Sequence, residues 1–212
     1  SNDGRYGGMG FYDGKLRWGA TAGAAFTESA GRHANGAGVV SFGPGGDLVW
    51  SAGGDATLRA WDARTGAAVG QPVELGAVAT ALFVRGGRML AVLGDSVRLL
   101  DTAGRTWAGP AWKAAVWPLV GVSQDLSRVF VADPADGKRV VARDPATGKP
   151  SGPEYRHPRQ VKSVFSMKTR DEFLTITDEN IGRVWDGRSG RLAGRPMEYE
   201  TAVDAIAFDG AE

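Results

Sequence analysis

The stretch LRAWDARTG, Leu58–Gly66, joins an apolar lead, a Trp-Asp pair and a polar turn that ends in Gly. Altered copies of it occur as LRWGATAG (Leu16–Gly23), VRLLDTAG (Val97–Gly104), VVARDPATG (Val140–Gly148) and GRVWDGRSG (Gly182–Gly190). The slot of Trp61 is filled in these copies by Gly19, Leu100, Arg143 and Trp185, at spacings of 42, 39, 43 and 42 residues. A fixed period of this size indicates a repeat architecture.

Each repeat holds short apolar runs separated by turns rich in Gly, Asp or Pro. The fullest unit reads as four strands, Val39–Phe42, Leu48–Ala52, Thr57–Trp61 and Ala67–Val73. No segment keeps a 3.6-residue apolar period, so we expect essentially no helix. Four short antiparallel strands in about 42 residues, repeated, predict an all-β fold, a β-propeller whose blades stack on their neighbours.

The composition limits the possible functions. The net charge is +1, which argues against a strong field for nucleic acid, so nucleic acid is an unlikely partner. The chain has no Cys, which excludes disulfides and thiol or Cys-zinc chemistry. No apolar run approaches the ~20 residues that span a bilayer, so we expect no membrane partner. The many Ala, Gly and Arg residues suggest a bacterial protein, expected in the cytoplasm.

At this point the sequence resembles the WD-repeat β-propeller family, whose repeats run from a Gly-His pair through an apolar strand and an SPDG turn to Trp-Asp. Here Arg32-His33 stands nine residues before Phe42, and Gly-Pro-Gly-Gly at 43–46 fills the SPDG slot. The resemblance implies a buried hydrogen-bond tetrad in the best-matching repeat. Its members are His33, Ser51, Asp55 and Trp61.

A second tetrad is implied near the end of the chain. Its members are His157, Thr175, Asp178 or the adjacent Glu179, and Trp185. Both histidines of the chain thus fall at one repeat position. The other repeats carry Glu74 or Lys113 in the His slot, and we expect no tetrads there.

The resemblance also suggests how the ring closes. Residues 203–208 match an innermost strand, while the first repeat lacks one. We therefore expect them to pair antiparallel with the strand near 5–10, which gives five blades in one domain over 1–212. The blade units are about 1–30 with 202–212, 31–73, 74–112, 113–155 and 156–201. The alternative is that the chain is part of a longer polypeptide, or that it shares a larger ring with other chains.

The candidate chemical sites each have a structural alternative. His33, Ser51 and Asp55 are the residue types of a hydrolase triad, but their order and the Trp partner favour a structural tetrad. Asp133–Gly137 faintly resembles a calcium loop, yet it lacks the further spaced oxygens and the closing Glu, so a hairpin turn is favoured. We expect no catalytic residues, no metal site and no cofactor.

Two features suggest a partner-binding surface. Trp107, Trp112 and Trp117 lie within one outer strand and the loop that follows it, and exposed Trp is enriched at binding hot spots. The alternative is that they fill gaps in that blade. A basic cluster near Tyr155 could attract acidic groups, or it could be a solvated rim; its members are Arg156, His157, Arg159, Lys162, Lys168 and Arg170.

The resemblance implies a rigid, non-catalytic platform that binds other proteins or peptides, either as a scaffold or as a sensing module. The alternative is a propeller enzyme, or a lectin-like binder of small ligands that uses the central channel or the rim. An enzyme would need acids, His or metal ligands converging on one rim, and both histidines are already assigned to tetrads.

Overall fold

A computed structural model describes residues 6–23, 25–114, 120–167 and 171–201. Within these residues the chain forms twenty β-strands in five antiparallel sheets, which follow one another in chain order. A single 3₁₀ turn, Pro44–Gly46, interrupts the strands. The all-β prediction is confirmed. The chain divides into two compact units, the first made of Ser1–Gly94 with Leu100–Ala108, the second of Asp95–Leu99 with Gly109–Glu212.

Sheets 1 and 2 lie wholly within the first unit. Sheet 1 has three described strands in the order β1-β2-β3, and sheet 2 has four in the order β4-β5-β6-β7. The strands of sheet 1 are β1 (Tyr6–Gly10), β2 (Leu16–Ala20) and β3 (Phe26–Glu28). Those of sheet 2 are β4 (Ala37–Phe42), β5 (Leu48–Gly53), β6 (Thr57–Asp62) and β7 (Val73–Glu74).

Sheet 3 has five strands where the sequence predicts four. Its strands are β8 (Ala79–Arg85), β9 (Arg88–Leu93), β10 (Ser96–Asp101), β11 (Thr106–Trp107) and β12 (Trp112–Lys113). The outer strand is split, because β11 pairs with Leu100 and Asp101 whereas β12 pairs with Ser96 and Val97. Gly109-Pro110 lies between the two halves, and proline cannot donate a ladder hydrogen bond.

The second unit contains sheets 4 and 5, each with four strands in sequential order. Sheet 4 consists of β13 (Val120–Val122), β14 (Val129–Ala132), β15 (Arg139–Arg143) and β16 (Pro150–Arg156). Sheet 5 consists of β17 (Val161–Ser166), β18 (Glu172–Thr177), β19 (Ile181–Asp186) and β20 (Met197–Glu198).

The core of the first unit lies between successive sheets. Leu16 and Trp18 of sheet 1 form one buried cluster with Phe42, Val49 and Trp61 of sheet 2. A larger cluster joins sheets 2 and 3 through Trp50, Leu82 and Met89 among others. The second strands β5 and β9 are buried along almost their whole length, so side chains on both faces of each strand are shielded from solvent.

Aromatic side chains fill the core of the second unit. The rings of Phe130 and Phe173 stack with centroids 4.1 Å apart, and Tyr155 meets Phe173 edge-on at 4.7 Å. The Tyr155 hydroxyl donates a 2.8 Å hydrogen bond to the carbonyl of Gly187. Tyr155 therefore ties sheet 4 to sheet 5 and contributes nothing to an exposed basic surface, contrary to one sequence-based reading.

The predicted closing strand, residues 203–208, lies outside the described residues, as do Trp117, Lys168 and Arg170. The five-blade count and the single ring over 1–212 therefore stay predictions. No helix among the described residues is long and apolar enough to cross a membrane.

Candidate functional site

In sheet 2 the structure brings together the four residues of the first expected tetrad. His33 Nε2 lies 2.7 Å from Ser51 Oγ, and His33 Nδ1 lies 2.9 Å from Asp55 Oδ1. Trp61 Nε1 donates a 2.8 Å hydrogen bond to the same Ser51 Oγ. An ionised carboxylate only accepts hydrogen bonds, so His33 donates from Nδ1 and accepts the Ser51 proton at Nε2. The result is one continuous chain from Trp61 to Asp55.

Asp55 anchors this chain to the backbone. Its Oδ2 accepts a 3.0 Å bond from the amide of Ala34, and its Oδ1 accepts a 2.9 Å bond from the Thr57 hydroxyl. Burial raises the pKa of the Asp55 carboxyl, but hydrogen bonds from His33 and Thr57 outweigh it, and the net pKa is lowered. Burial lowers the pKa of His33, while Asp55 opposes that shift.

This arrangement stabilises the sheet and is not exposed for catalysis. His33 is 1% exposed, and both Ser51 and Trp61 are fully buried, so a substrate carbonyl has no path to the Ser51 hydroxyl. Hydrogen bonds with Trp61 and His33 already occupy the Ser51 hydroxyl. A satisfied buried network of this kind orients strands relative to one another.

The second site, in sheet 5, is incomplete. His157 Nε2 lies 2.8 Å from Thr175 Oγ1, which also accepts a 2.8 Å bond from Trp185 Nε1. Among the described residues, however, His157 Nδ1 is buried without a hydrogen-bond partner. Burial, together with the smaller effect of the nearby Arg183 guanidinium, lowers the pKa of His157 to about 4.

Neither Asp178 nor Glu179, the acids expected to complete this tetrad, hydrogen-bonds His157 Nδ1, which has no partner among the described residues. Arg159 Nε lies 3.1 Å from Glu179 Oε1 and 3.8 Å from Asp178 Oδ1. Glu179, six residues before Trp185, occupies the position that Asp55 holds before Trp61. Both acids thus pair with Arg159 and not with the imidazole.

The two sites also differ at the position that Gly53 holds in sheet 2. A Cβ placed on Gly53 would lie 2.4 Å from Cγ of His33, so the ring rests directly on that glycine. The equivalent position before Trp185 holds Thr177, which is fully buried. The two sites therefore differ in the residue at this position of the second strand.

The expected aromatic surface is half-buried. Trp107 packs against the core cluster of the first unit. Trp112 donates a 3.0 Å hydrogen bond from Nε1 to the Pro145 carbonyl, and its ring lies against Gly148. For these two residues the structure favours the gap-filling interpretation over a free contact surface.

Ion pairs neutralise much of the basic cluster. Arg156 Nη2 lies 3.0 Å from Glu154 Oε2, and Arg139 Nη1 lies 3.0 Å from Glu154 Oε1. Arg139 also pairs closely with Asp133. Lys162 differs, because it is exposed and forms no ion pair within the described part of the chain.

A cleft of about 740 Å³ in the second unit was not predicted from the sequence. Its walls come from the turn after β14, from the short link before β17 and from the turn before β10. The polar groups that line it are Lys113, Lys162, Gln160, Asp95 and Asp133. The cleft forms only where turns from three sheets meet at one edge. No local sequence signal could therefore have identified it.

A second cleft, of about 570 Å³, lies in the first unit on turns at the other ends of the strands. Tyr6, Trp18, Asp47, Asp62 and Arg64 line it together with small residues. Among the described residues no three His, Asp or Glu side chains are grouped so that they could hold a metal ion.

The chain is similar to two solved structures. One is of the WD40 repeats of RRP9, with a TM-score of 0.66 and 14% identity over 87% of this chain and 59% of that chain. The other is of U3-55K, with a TM-score of 0.63 and 14% identity over 87% of this chain and 60% of that chain. This chain therefore spans about three fifths of the length of these structures.

No family model and no curated protein sequence matches the chain. At 14% identity the likeness to solved structures concerns the fold alone. The chain has the fold of a WD40-repeat β-propeller, as the repeat period and the Trp-Asp motifs predict.

Proposed function

We propose that this chain is a non-catalytic protein-interaction module, a scaffold or sensing element that binds a peptide segment of another protein. The supporting observation is the cleft of the second unit, at the edge where turns from sheets 3, 4 and 5 meet. Its floor is apolar, with Ala114, Ala132 and Val161, and its rim carries charges of both signs. Such a mixed cleft suits an extended peptide better than an apolar small molecule.

The two histidines support the non-catalytic part of the proposal. They are the only imidazoles in the chain, and each is buried and hydrogen-bonded to a hydroxyl on its own sheet. General acid–base catalysis by histidine requires reach to the substrate, which neither residue has. A surface that only binds a partner requires rigid sheets beneath it and no catalytic side chains.

Selection of peptides from a display library on the purified chain tests the proposal. Selected peptides should lose roughly tenfold or more in affinity for Lys162→Glu, because that change reverses a charge on the rim of the cleft. Arg64→Glu, in the cleft of the first unit, is the matched control and should leave affinity unchanged. Peptides that bind both variants equally, or reproducible turnover of a hydrolase substrate, would contradict the proposal.

A further inference from the structure

A break in strand pairing sets the position of Lys162 in β17. Val161 pairs with Thr177 of the second strand, β18. Ser163 pairs with the adjacent residue, Ile176, so Lys162 is the extra residue of a β-bulge. Successive side chains of a regular strand point to opposite faces, and a bulge interrupts that alternation. The bulge therefore lets Val161, which is buried, and Lys162, which is exposed, line the same cleft of about 740 Å³.

The same bulge occurs in two other sheets. In β4, β8 and β17 alike, it lies opposite the last residue of the second strand of the sheet. The extra residue is Gly38 in β4 and Thr80 in β8, and both are exposed and uncharged. The bulge is thus a property of the repeat, whereas the positive charge belongs to the copy in β17. Because two sheets form this bulge without a cation, folding does not explain the charge of Lys162.

The other charges of the cleft are already paired. Asp133 pairs closely with Arg139, whose guanidinium lowers the pKa of that carboxyl and so keeps it ionised. Asp95 Oδ2 lies 3.4 Å from Lys113 Nζ. Within the described part of the chain no acid lies at ion-pair distance from Lys162. The charge that the cleft leaves unpaired is therefore a single cation.

We propose that the cleft takes an extended segment of the partner that carries Asp or Glu, with one carboxylate against Lys162. This inference rests on the proposed function and names the chemistry of the peptide. An extended segment presents alternate side chains to opposite sides. Small apolar side chains of the segment lie on the floor of Ala114, Ala132 and Val161, while the acidic ones between them reach the rim. Opposite charges on the rim and the segment select the partner and its register.

The acids of the cleft favour a singly charged group over a phosphate. A phosphoserine carries about −1.5 to −2 charges at pH 7, whereas the cleft offers one unpaired cation and holds Asp95 and Asp133. Lys113 can help only by leaving Asp95. Since the Lys113 and Asp95 side chains are 89% and 64% exposed, their ion pair is weak, and a ligand carboxylate can replace Asp95. Asp95 therefore competes with the ligand and limits its affinity.

Fluorescence anisotropy with a labelled peptide of four Val-Glu repeats tests the charge of the ligand, because alternating valine favours an extended chain. The unmodified chain should bind this peptide and should not bind four Val-Lys repeats. Lys162→Met, which keeps the length of the side chain without its charge, should weaken binding about three- to fivefold, and Lys162→Arg should restore it. Lys149→Met, at an exposed lysine outside the cleft, is the matched control and should bind as the unmodified chain does.

Asp95→Asn adds a gain of affinity, which damage to the fold would not produce. It removes the competitor for Lys113, so the Val-Glu peptide should bind about two- to fivefold more tightly. Failure of that peptide to bind, or equal binding by Lys162→Met, overturns the proposal.

A blocked cleft separates that failure from a failure of the proposed function. Ala135 is exposed and lines the cleft, so Ala135→Trp fills it whatever the charge of the ligand. If library-selected peptides without acids lose affinity for Ala135→Trp, the cleft still binds peptides and only the acidic partner is wrong. If no selected peptide responds to Ala135→Trp, the proposed function fails as well.

Discussion

The indole Nε1 of Trp61 donates a 2.8 Å hydrogen bond to the Oγ of Ser51, ten residues earlier on the neighbouring strand. Trp185 and Thr175 repeat this relationship at 2.8 Å. In both sheets the same hydroxyl also contacts the imidazole of a histidine that precedes the sheet's first strand. The indole is therefore both a large buried apolar group and the first donor of a polar chain, so its removal disturbs two kinds of interaction.

Replacement of these indoles should be strongly destabilising. We expect Trp61→Ala and Trp185→Ala each to lower the free energy of unfolding by about 3–5 kcal/mol, the usual range for a buried aromatic truncated to Ala. Trp112→Ala, at a half-buried side chain with one hydrogen bond to Pro145, should cost roughly half as much. Urea denaturation of the three variants measures the loss of unfolding free energy in each and so gives their order.

Equal losses in all three variants would contradict this order, since they would place Trp112 as deep in the core as Trp61. Thr175→Val provides a sharper check on the polar part. It keeps the shape of the side chain but removes the acceptor of Trp185 Nε1, and should cost about 1–3 kcal/mol as a buried donor is left unsatisfied.

The repeat period and the Trp-Asp motifs were enough to predict the fold, because each repeat must fold as one sheet and stack on the next. The tetrad of His33, Ser51, Asp55 and Trp61 was implied by the resemblance to the WD-repeat family. In the structure Ser51 lies opposite Arg59, two residues from Trp61. The same reasoning failed at Asp178. There both acids pair with Arg159, a residue outside the repeat motif.

The tryptophans and the cleft show a second limit of sequence reasoning. Outer strands are short, and the split of the outer strand of sheet 3 into β11 and β12 decides which side chains turn inward. Whether Trp112 is exposed then depends on its contact with Gly148 on the next sheet, 36 residues later in the sequence. Such contacts follow from packing between repeats, which the pattern within one repeat does not encode.

Gly53 should be intolerant of even the smallest side chain. An alanine Cβ would lie 2.4 Å from His33 Cγ and 2.5 Å from its Nδ1, so the ring must move and its bond to Asp55 must break. We expect Gly53→Ala to cost at least about 2 kcal/mol of unfolding free energy, from overpacking and a lost buried hydrogen bond.

Gly7→Ala is the matched control for this substitution. Gly7 is also a strand glycine of the first unit, and a Cβ there would meet nothing within 4 Å. Its replacement should change stability by no more than about 0.5 kcal/mol. If Gly53→Ala proved as stable as Gly7→Ala, the close packing of the His33 imidazole on Gly53 would be wrong.

Stability should fall as the pH is lowered through the range in which unfolded histidine takes up a proton. Burial lowers the pKa of His157 to about 4, with Arg183 adding to the shift, against an ordinary value of 6.5. Between these two values the unfolded chain binds a proton at His157 that the folded chain refuses, and this stabilises the unfolded state. Above pH 6.5 both states are neutral at this group and its effect vanishes; below about pH 4 both are protonated and the loss is complete.

The size of this loss distinguishes His157 from other titrating groups. The lowered pKa of His157 corresponds to roughly 3 kcal/mol of unfolding free energy. This is lost at up to about 1.4 kcal/mol per pH unit. Protonation of His33 should lower the stability of the chain in the same direction. The effect should be smaller, because Asp55 favours the charged imidazole and opposes the effect of burial. Urea denaturation from pH 8 to pH 4.5 should therefore show a shallower slope for His157→Gln than for the unmodified chain. Since the carboxylates begin to lose their own contribution only below about pH 5, an unchanged slope between pH 8 and pH 5 in that variant would mean that His157 is accessible to protons in the folded state.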